Sequence, residues 1–338
     1  MKAAFLKSPK KMIVKDTDDP KPKSGHVIVK VKYCGICGSD LHGYETGVIS
    51  GILGHEFSGE IESVGESVRG WEVGDRVTAN PNQGCGLCYY CKRGETNQCM
   101  KFSAIGIINA PGAFAERVAV RADTLIKLAE GTSFEAGALV EPLAPLVRAG
   151  KYAVRLADTV AIIGAGTIGL FALQCARLSG ARAIYVSEPS MTRAAAARKL
   201  GADQVFNPKE VRAEDEIVKL TKGLGVDVAF ECVGRPETIQ GAEKIVRKGG
   251  RVMIIGECLT DVPTNYAGIF ARELEIKGIY DGSIQDFEQA THLIESGKIN
   301  VGLIVTDKIG LSEIVEKGFE ELLRPDKNHI KILVDPQK

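Results

Sequence analysis

The chain has 338 residues, 44% of them hydrophobic, with 43 basic and 43 acidic side chains and a formal net charge of zero. That length is generous for one compact domain and comfortable for two. The balanced charge argues against phosphate-backbone binding, which requires a basic surface, and no segment stays apolar long enough for a membrane span.

In chain order, residues 1–16 hold no apolar run fit for a signal peptide, so a cytoplasmic protein is expected. Residues 26–32 alternate apolar and polar and read as a half-buried strand. Residues 60–64 and 76–78 read similarly, with Gly59, Gly65, Gly70 and Gly74 as turn punctuation. This is the texture of a small, twisted, mostly antiparallel β-domain. It changes near residue 150. Residues 159–163 and 183–186 are apolar runs without alternation, the pattern continues through 226–230, 251–255 and 274–279, and helical stretches over 170–178, 192–200 and 238–246 separate them. Such a series predicts a parallel sheet covered on both faces. Residues 286–295 and 311–322 then read as helices and 330–334 as a final strand.

Gly164-Ala165-Gly166-Thr167-Ile168-Gly169 ends a strand and opens a helix. In that context the three glycines serve a tight turn, close backbone approach to a pyrophosphate, and helix packing on the strand. The helix N-terminus offers free N–H groups to the phosphates, Thr167 and Ile168 included. Glu188, about twenty residues on, stands where a carboxylate accepts the ribose hydroxyls and repels a 2′-phosphate, which favours NAD over NADP. Arg193 close by is a residue that would serve such a phosphate. The competing reading is a tight turn in a fold that binds nothing.

Nine cysteines in a chain expected in the cytoplasm read as thiols rather than disulfides. Cys85, Cys88, Cys91 and Cys99 place four thiolates in one short loop, and zinc accepts four sulfurs in a closed tetrahedron. The lobe at 84–100 therefore reads as a structural zinc site, with an iron–sulfur cluster or a nucleic-acid-binding ribbon as competitors; it has no concentrated basic face. Cys175, Cys232 and Cys258 read as buried thiols. A second metal signature lies in residues 34–42 and 54–56. Cys37, His55, Glu56 and, later, Glu141 supply the thiolate, imidazole and carboxylate groups of a catalytic zinc that keeps one position open.

With these motifs the chain resembles the zinc-containing medium-chain dehydrogenases, in particular the polyol and 2,3-butanediol branch. The resemblance runs over nearly the whole sequence through CGICGSDLH, LGHEFSGEIESVGESVRGWEVGDRV, the four-cysteine lobe, GALVEPLA, GAGTIG, GVDVAFECVG, KGGRVMIIGE and HIKILVDP. It implies an α/β protein made of a Rossmann, doubly wound parallel sheet and a GroES-like, mostly antiparallel β catalytic domain. It returns the C-terminal segment to the first domain, giving 1–142 with 280–338 as catalytic domain and 143–279 as the NAD-binding domain. It implies two zinc ions per subunit, one catalytic and one structural, and a homodimer or homotetramer whose sheets meet through residues 251–255 and 276–279.

The resemblance further implies that Cys37 and His55 ligate the catalytic zinc, while Glu56 or Glu141 is the third protein ligand. Cys34 is structural. Ser39 touches the substrate oxygen and His42 passes the proton towards solvent. The implied activity is hydride transfer between a secondary alcohol, a polyol or vicinal diol, and NAD, with a small-molecule substrate and no nucleic-acid or membrane partner. Threonine, another amino alcohol or a polyol phosphate is an alternative substrate, and a non-catalytic zinc- and nucleotide-binding protein is the alternative from another class. Three departures bear on the substrate. The stretch 43–54 is shorter than its counterparts, Pro145-Leu146-Val147-Arg148 replaces small residues and a histidine, and Tyr280-Asp281-Gly282-Ser283, expected near the nicotinamide, has no assigned role. Arg148 has three readings: a cofactor phosphate, an anionic substrate or an ion pair.

Overall fold

The strand His26–Gly35 is the spine of the first unit. Its valines Val27, Val29 and Val31 are fully buried, as period-two alternation with β-branched residues requires of a strand with one face on a core. In this computed structural model, which describes residues 1–326 and 328–338, the strand pairs antiparallel with Glu56–Val64 along one edge. Along the other it meets Arg117–Arg121 and then Lys331–Asp335. Arg76–Ala79 and Leu125–Lys127 extend the sheet beyond Glu56–Val64, and Val305–Gly310 extends it beyond Lys331–Asp335. Phe57, Ile61, Val77, Phe114, Val120, Ile332 and Val334 fill the core between sheet and covering segments. Each such side chain contributes about 1.5–3 kcal/mol when fully removed from water. By its internal contacts this unit comprises Met1–Ala144, Asp281–Gly297 and Val305–Lys338.

Two features of this unit depart from the pattern in the sequence. Val305–Gly310 is a strand, parallel to Lys331–Asp335, where no strand was expected. Residues 311–322 are helical but not one α-helix: a 3₁₀ turn Leu311–Glu313 leads into a π-helix Ile314–Phe319 and one α-turn Glu320–Leu323. The wide π turn keeps Ile314, Gly318 and Phe319 buried together. Phe319 meets Tyr44 and Phe114 with ring centroids 4.9 and 5.9 Å apart, and a Cβ on Gly318 would come within 2.7 Å of Ile36 Cδ1. Tertiary packing, not helix period, sets the pitch here.

The second unit comprises Pro145–Tyr280 and Lys298–Ile304. Its six strands are all parallel, in the order Gln204–Phe206, Ala183–Ser187, Thr159–Ile163, Val226–Glu231, Val246–Ile254, Glu275–Gly278. That is the doubly wound Rossmann order, with its switch point between Thr159–Ile163 and Val226–Glu231. Every residue of Thr159–Ile163 is buried, which accounts for its unbroken apolar run. The expected sheet-to-sheet role of residues 251–255 is corrected: Arg251, Val252 and Met253 lie on an inner strand and are buried. The Arg251 guanidinium donates to Ala153 O at 2.6 Å and to Asp158 Oδ2 at 2.7 Å. Only Glu275–Gly278 forms that edge, and it is largely exposed. Among the described residues no helix is long and apolar enough to cross a membrane.

Candidate metal and cofactor sites

Cys37 is the N-cap of the helix Gly38–Thr46, at the end of the spine strand. Its backbone N–H donates to Asp40 Oδ2 at 2.9 Å, and the other oxygen of Asp40 accepts from Gly54 N at 3.2 Å. One buried carboxylate therefore ties the Cys37 turn to the residue before His55. The outcome is that Cys37 Sγ, a His55 ring nitrogen and a Glu56 carboxylate oxygen all lie within 4.8 Å of one another. His55 and Glu56 are almost fully buried. The two faces of the imidazole differ. Nε2 stands 3.9 Å from Glu141 Oε1, and Nδ1 stands 3.7 Å from Asp40 Oδ1 without a hydrogen-bond partner among the described residues.

Glu56 begins the strand Glu56–Val64 directly opposite Gly35. A Cβ at Gly35 would fall 2.1 Å from Glu56 Oε2, so the missing side chain makes the seat for the carboxylate. Its counter-charge is Lys331, which opens the strand Lys331–Asp335. Lys331 Nζ donates to Glu56 Oε1 at 2.7 Å, to Oε2 at 2.5 Å and to Ile36 O at 2.8 Å. Burial alone would lower the Lys331 ammonium pKa, but the charges of Glu56 and Cys37 outweigh it and raise it.

Glu141 lies in the first turn of the helix Val140–Gly150, buried, and outside the tight Cys37–His55–Glu56 set. Burial holds its carboxyl well above the usual range, opposed by His55 and reinforced by the charges of Asp281, Glu56 and Cys37. Burial likewise raises the Cys37 thiol to about 12 and raises the Asp40 carboxyl. For His55, burial pulls the imidazole down, yet Asp40, Glu141 and Glu56 together leave it raised. Four acids and a thiol thus share this region with one imidazole and one ammonium. A mixed S, N, O donor set short of positive charge fits a zinc ion. Cys34 is fully buried and not part of the set. Ser39 and His42, three apart on the same helix and partly exposed, flank Cys37; the Ser39 hydroxyl hydrogen-bonds the thiol and lowers its pKa against the larger effect of burial.

Asp40, Lys331 and Asp281 carry weight that the sequence alone does not assign. Asp40 had a signal: an acid three residues after an N-cap. Lys331 had a fainter one, a lone cation inside the apolar run Ile330 to Val334. Asp281 had none beyond its unassigned segment.

In the lobe, the ligand atoms of Cys85, Cys88, Cys91 and Cys99 also lie within 4.8 Å of one another. Turns at Gly86 (φ 71°) and Gly94 (φ 77°) wrap the chain. Backbone amides aim at the sulfurs: Cys85 N and Lys101 N reach Cys99 Sγ at 3.2 and 3.3 Å, and Cys88 N reaches Cys85 Sγ at 3.4 Å. Amide donors at Cys91 and Met100 bring the Cys88 thiol down to about 6. Burial raises the fourth thiol, Cys91, to about 12 against the Gly86 amide, but amides converging on the other three sulfurs suit thiolates around a cation. The other three cysteines differ from expectation in that all are partly exposed as residues. Burial still raises the Cys175 thiol to about 12 and the Cys232 thiol well above its ordinary value. Cys258 Sγ sits at the surface, 3.5 Å from Thr260 O.

In the second unit, Gly164 has φ 89° and donates to Ser187 O at 2.9 Å. Gly166 caps the helix Thr167–Leu178, and a Cβ on Gly169 would fall 1.8 Å from Gly164 O. The glycine spacing therefore places the first turn of this helix, with Thr167 and Ile168, directly after the glycine turn. Glu188 is buried and accepts from Ala165 N (Oε2) and from Ser190 N (Oε1), each at 2.7 Å, so it also fastens the glycine turn. The Arg193 guanidinium lies 3.8 Å from where a Gly166 Cβ would be. Burial lowers its pKa against the attraction of Glu188. Arg148 lies in the last turn of the helix Val140–Gly150, partly exposed.

Residues 23–130 match the alcohol dehydrogenase GroES-like domain and residues 167–296 the zinc-binding dehydrogenase domain. The chain is 33% identical to a sorbitol dehydrogenase of Bacillus subtilis (strain 168), over all of this chain and 98% of that one. It is 35% identical to an L-threonine 3-dehydrogenase of Pyrococcus furiosus, over 92% of each. Among solved structures it is similar to a zinc-binding dehydrogenase from Sinorhizobium meliloti 1021 bound to NADP, with a TM-score of 0.91, 32% identity and 99% of each chain covered.

Proposed function

The chain belongs to the zinc-dependent alcohol and polyol dehydrogenase family, and from that premise we propose that it transfers a hydride between a vicinal diol, polyol or vicinal amino alcohol and NAD. The observation that carries this reading is the convergence of Cys37, His55 and Glu56 within 4.8 Å, with Glu141 against the Nε2 face of His55. Cys37, His55 and Glu141 would hold the catalytic zinc. Glu141 takes the third place because Lys331 already neutralises Glu56, whereas Glu141 is a buried acid whose cationic neighbour within pairing distance, among the described residues, is His55 alone. A zinc ion there supplies Lewis-acid polarisation of the substrate oxygen.

The chain's own residues do the rest. Asp40 faces the imidazole from its Nδ1 side at 3.7 Å, so its charge favours the ring there without a hydrogen bond. Ser39 takes the proton of the substrate hydroxyl, and His42, one turn along the same helix and partly exposed, hands it to solvent. Cys85, Cys88, Cys91 and Cys99 hold a second, structural zinc with no open position. In the nucleotide unit, the amides of Thr167 and Ile168 take the pyrophosphate. Glu188, with one lone pair per oxygen still unused, accepts the ribose hydroxyls. That carboxylate favours NAD over NADP, and the bound nicotinamide supplies the hydride acceptor. A second copy of the chain would add its sheet at the exposed edge Glu275–Gly278, next in sequence to a helix, Tyr266–Arg272, that leaves Tyr266 and Phe270 exposed.

The test is reduction of NAD and NADP with sorbitol, 2,3-butanediol, L-threonine and a polyol phosphate, in protein whose zinc has been quantified. Turnover with NAD and the first three compounds is expected. Turnover with NADP alone would overturn the reading of Glu188 in favour of Arg193. Silence across the panel at full zinc content would overturn the enzyme reading itself.

A further inference from the structure

We propose that Asp281 selects the substrate by accepting a hydrogen bond from a donor on the carbon next to the reacting carbinol, the hydroxyl of a vicinal diol or the ammonium of a vicinal amino alcohol. This rests on the dehydrogenase reading above and gives it a specificity residue.

Asp281 opens a segment of the first unit that is fastened on two sides. Buried Asn82 donates from Nδ2 to Asp281 Oδ2, and Gly282 N donates to Asp281 Oδ1 at 2.7 Å. Asn80 Nδ2 donates to Gly282 O at 3.2 Å, and Asn82 N donates to Asn80 Oδ1 at 2.9 Å. On the other side Gly282 packs so tightly that a Cβ there would lie 3.3 Å from the Cβ of Ala144. Ala144 is three residues beyond Glu141 on the same helix, so the segment is set one turn from a metal-ligand candidate. Asp281 also has φ 49°, a left-handed conformation that is costly for a residue with a side chain and tolerated best by Gly, Asn and Asp. Turn-making alone does not call for a carboxylate there, because glycine or asparagine meets the backbone demand at lower cost.

Its charge reaches the metal centre. His55 lowers the Asp281 carboxyl against the larger effect of burial, which leaves it raised to about 6, and Asp281 in turn helps raise Glu141. At neutral pH the side chain is ionised. Each oxygen keeps an unused lone pair after its contact to Asn82 or Gly282. A second substrate donor, held beside a carbinol that faces His55 and Glu141, has this carboxylate as its acceptor. The same charge repels an anion in the donor's place, so a phosphate set against Asp281 is disfavoured. Sorbitol and threonine, named for two relatives, both place a donor on the carbon beside a secondary carbinol.

Two variants test this, both suited to a positive φ: Asp281→Asn, which removes the charge, and Asp281→Gly, which removes the side chain. The probes are 2,3-butanediol, 1-amino-2-propanol and 2-butanol, the last without the second donor. kcat/KM is measured for each, together with calorimetric binding of each alcohol to the zinc-loaded protein with NADH. The expected result is a fall of about 10- to 100-fold in the ratio of butanediol to butanol, in both kcat/KM and affinity, the loss of one charge-assisted hydrogen bond. A larger fall for the amino alcohol than for the diol identifies the ammonium as the partner, and an equal fall identifies a hydroxyl. An unchanged ratio in a variant that still turns over overturns the role of Asp281 and leaves the dehydrogenase reading standing. Absence of turnover in the unmodified protein overturns that reading first.

Discussion

The Lys331 ammonium lies 2.7 and 2.5 Å from the two carboxylate oxygens of Glu56, and both side chains are almost wholly buried. Removing one member of such a pair leaves the other charge without compensation, which costs more than the pair contributes when intact. Lys331→Met is expected to destabilise the chain by about 3–5 kcal/mol. The double variant Lys331→Met with Glu56→Gln is expected to recover a substantial part of that loss, because no bare charge remains. Urea unfolding of the single and double variants checks this, and simple additivity of the two single effects would sink it.

Gly35 is demanding for a different reason: its place in the strand is ordinary, but any Cβ would occupy the seat of Glu56 Oε2 at 2.1 Å. Gly35→Ala is expected to displace Glu56 from Lys331, leave that ammonium uncompensated beside the proposed catalytic zinc and so weaken its binding, and leave the four-cysteine lobe loaded. Zinc content should fall from about two ions per chain towards one, with kcat lost in proportion. Two ions retained at full activity would show that the carboxylate has another place to go.

The readability of this chain divides along physical lines. The nucleotide unit is legible because its inner strands are buried on both faces, so residues 159–163 are a continuous apolar run and 226–230 are broken only at Asp227, and because Gly164, Gly166 and Gly169 each answer a steric demand local in sequence. The clustering of the four lobe cysteines is legible for the same reason, since they lie within fifteen residues of each other. Lys331 is not, since its partner Glu56 is 275 residues away and only strand pairing brings them together. Asp281 is not, because Asn82, its staple, is 199 residues distant. The π turn at Ile314–Phe319 reads as a regular helix in the sequence because its apolar spacing tolerates either pitch, and the choice is made by Phe319 packing on Tyr44 and Phe114.

Cys99 receives two backbone amides and is the most buried of the four lobe cysteines. Cys99→Ser is expected to remove one zinc and loosen residues 84–100, where Leu87 and Met100 are already exposed. Limited proteolysis should then cut first within that stretch, and the thermal midpoint should fall, while the fold of the nucleotide unit persists by circular dichroism. Unaltered zinc content and cleavage pattern would refute a structural metal in the lobe.

Under the proposed NAD reading, Glu188 and Arg193 would offer opposite preferences to the adenosine end of the cofactor. Glu188→Ser removes the carboxylate that would repel a 2′-phosphate and leaves Arg193 in place beside Gly166. The NADP-to-NAD ratio of kcat/KM is expected to rise by about 10- to 100-fold, the size of one charge-assisted hydrogen bond made and one repulsion removed. A ratio that does not move would mean that Glu188 serves only to fasten Ala165 and Ser190.

Asp227 shows how one carboxylate ties the nucleotide sheet together, and its effect carries a definite pH sign. It accepts from Thr159 N at 2.8 Å and Thr159 Oγ1 at 2.7 Å, bridging neighbouring strands, and from Arg247 Nε at 2.7 Å. Burial would raise its pKa, but these donors together hold it below the ordinary value. A group depressed in the folded state contributes stability that is fully present above its unfolded pKa of about 3.9 and is lost as pH falls through the folded value. Asp227→Asn is therefore expected to cost about 1–3 kcal/mol at neutral pH, where a charged acceptor of three hydrogen bonds is replaced by a neutral one. The gap between the two proteins should stay level down to about pH 5 and narrow below about pH 4 as the native carboxylate takes up its proton. Urea unfolding at three pH values measures the gap, and one that widened on acidification would reverse the assigned sign.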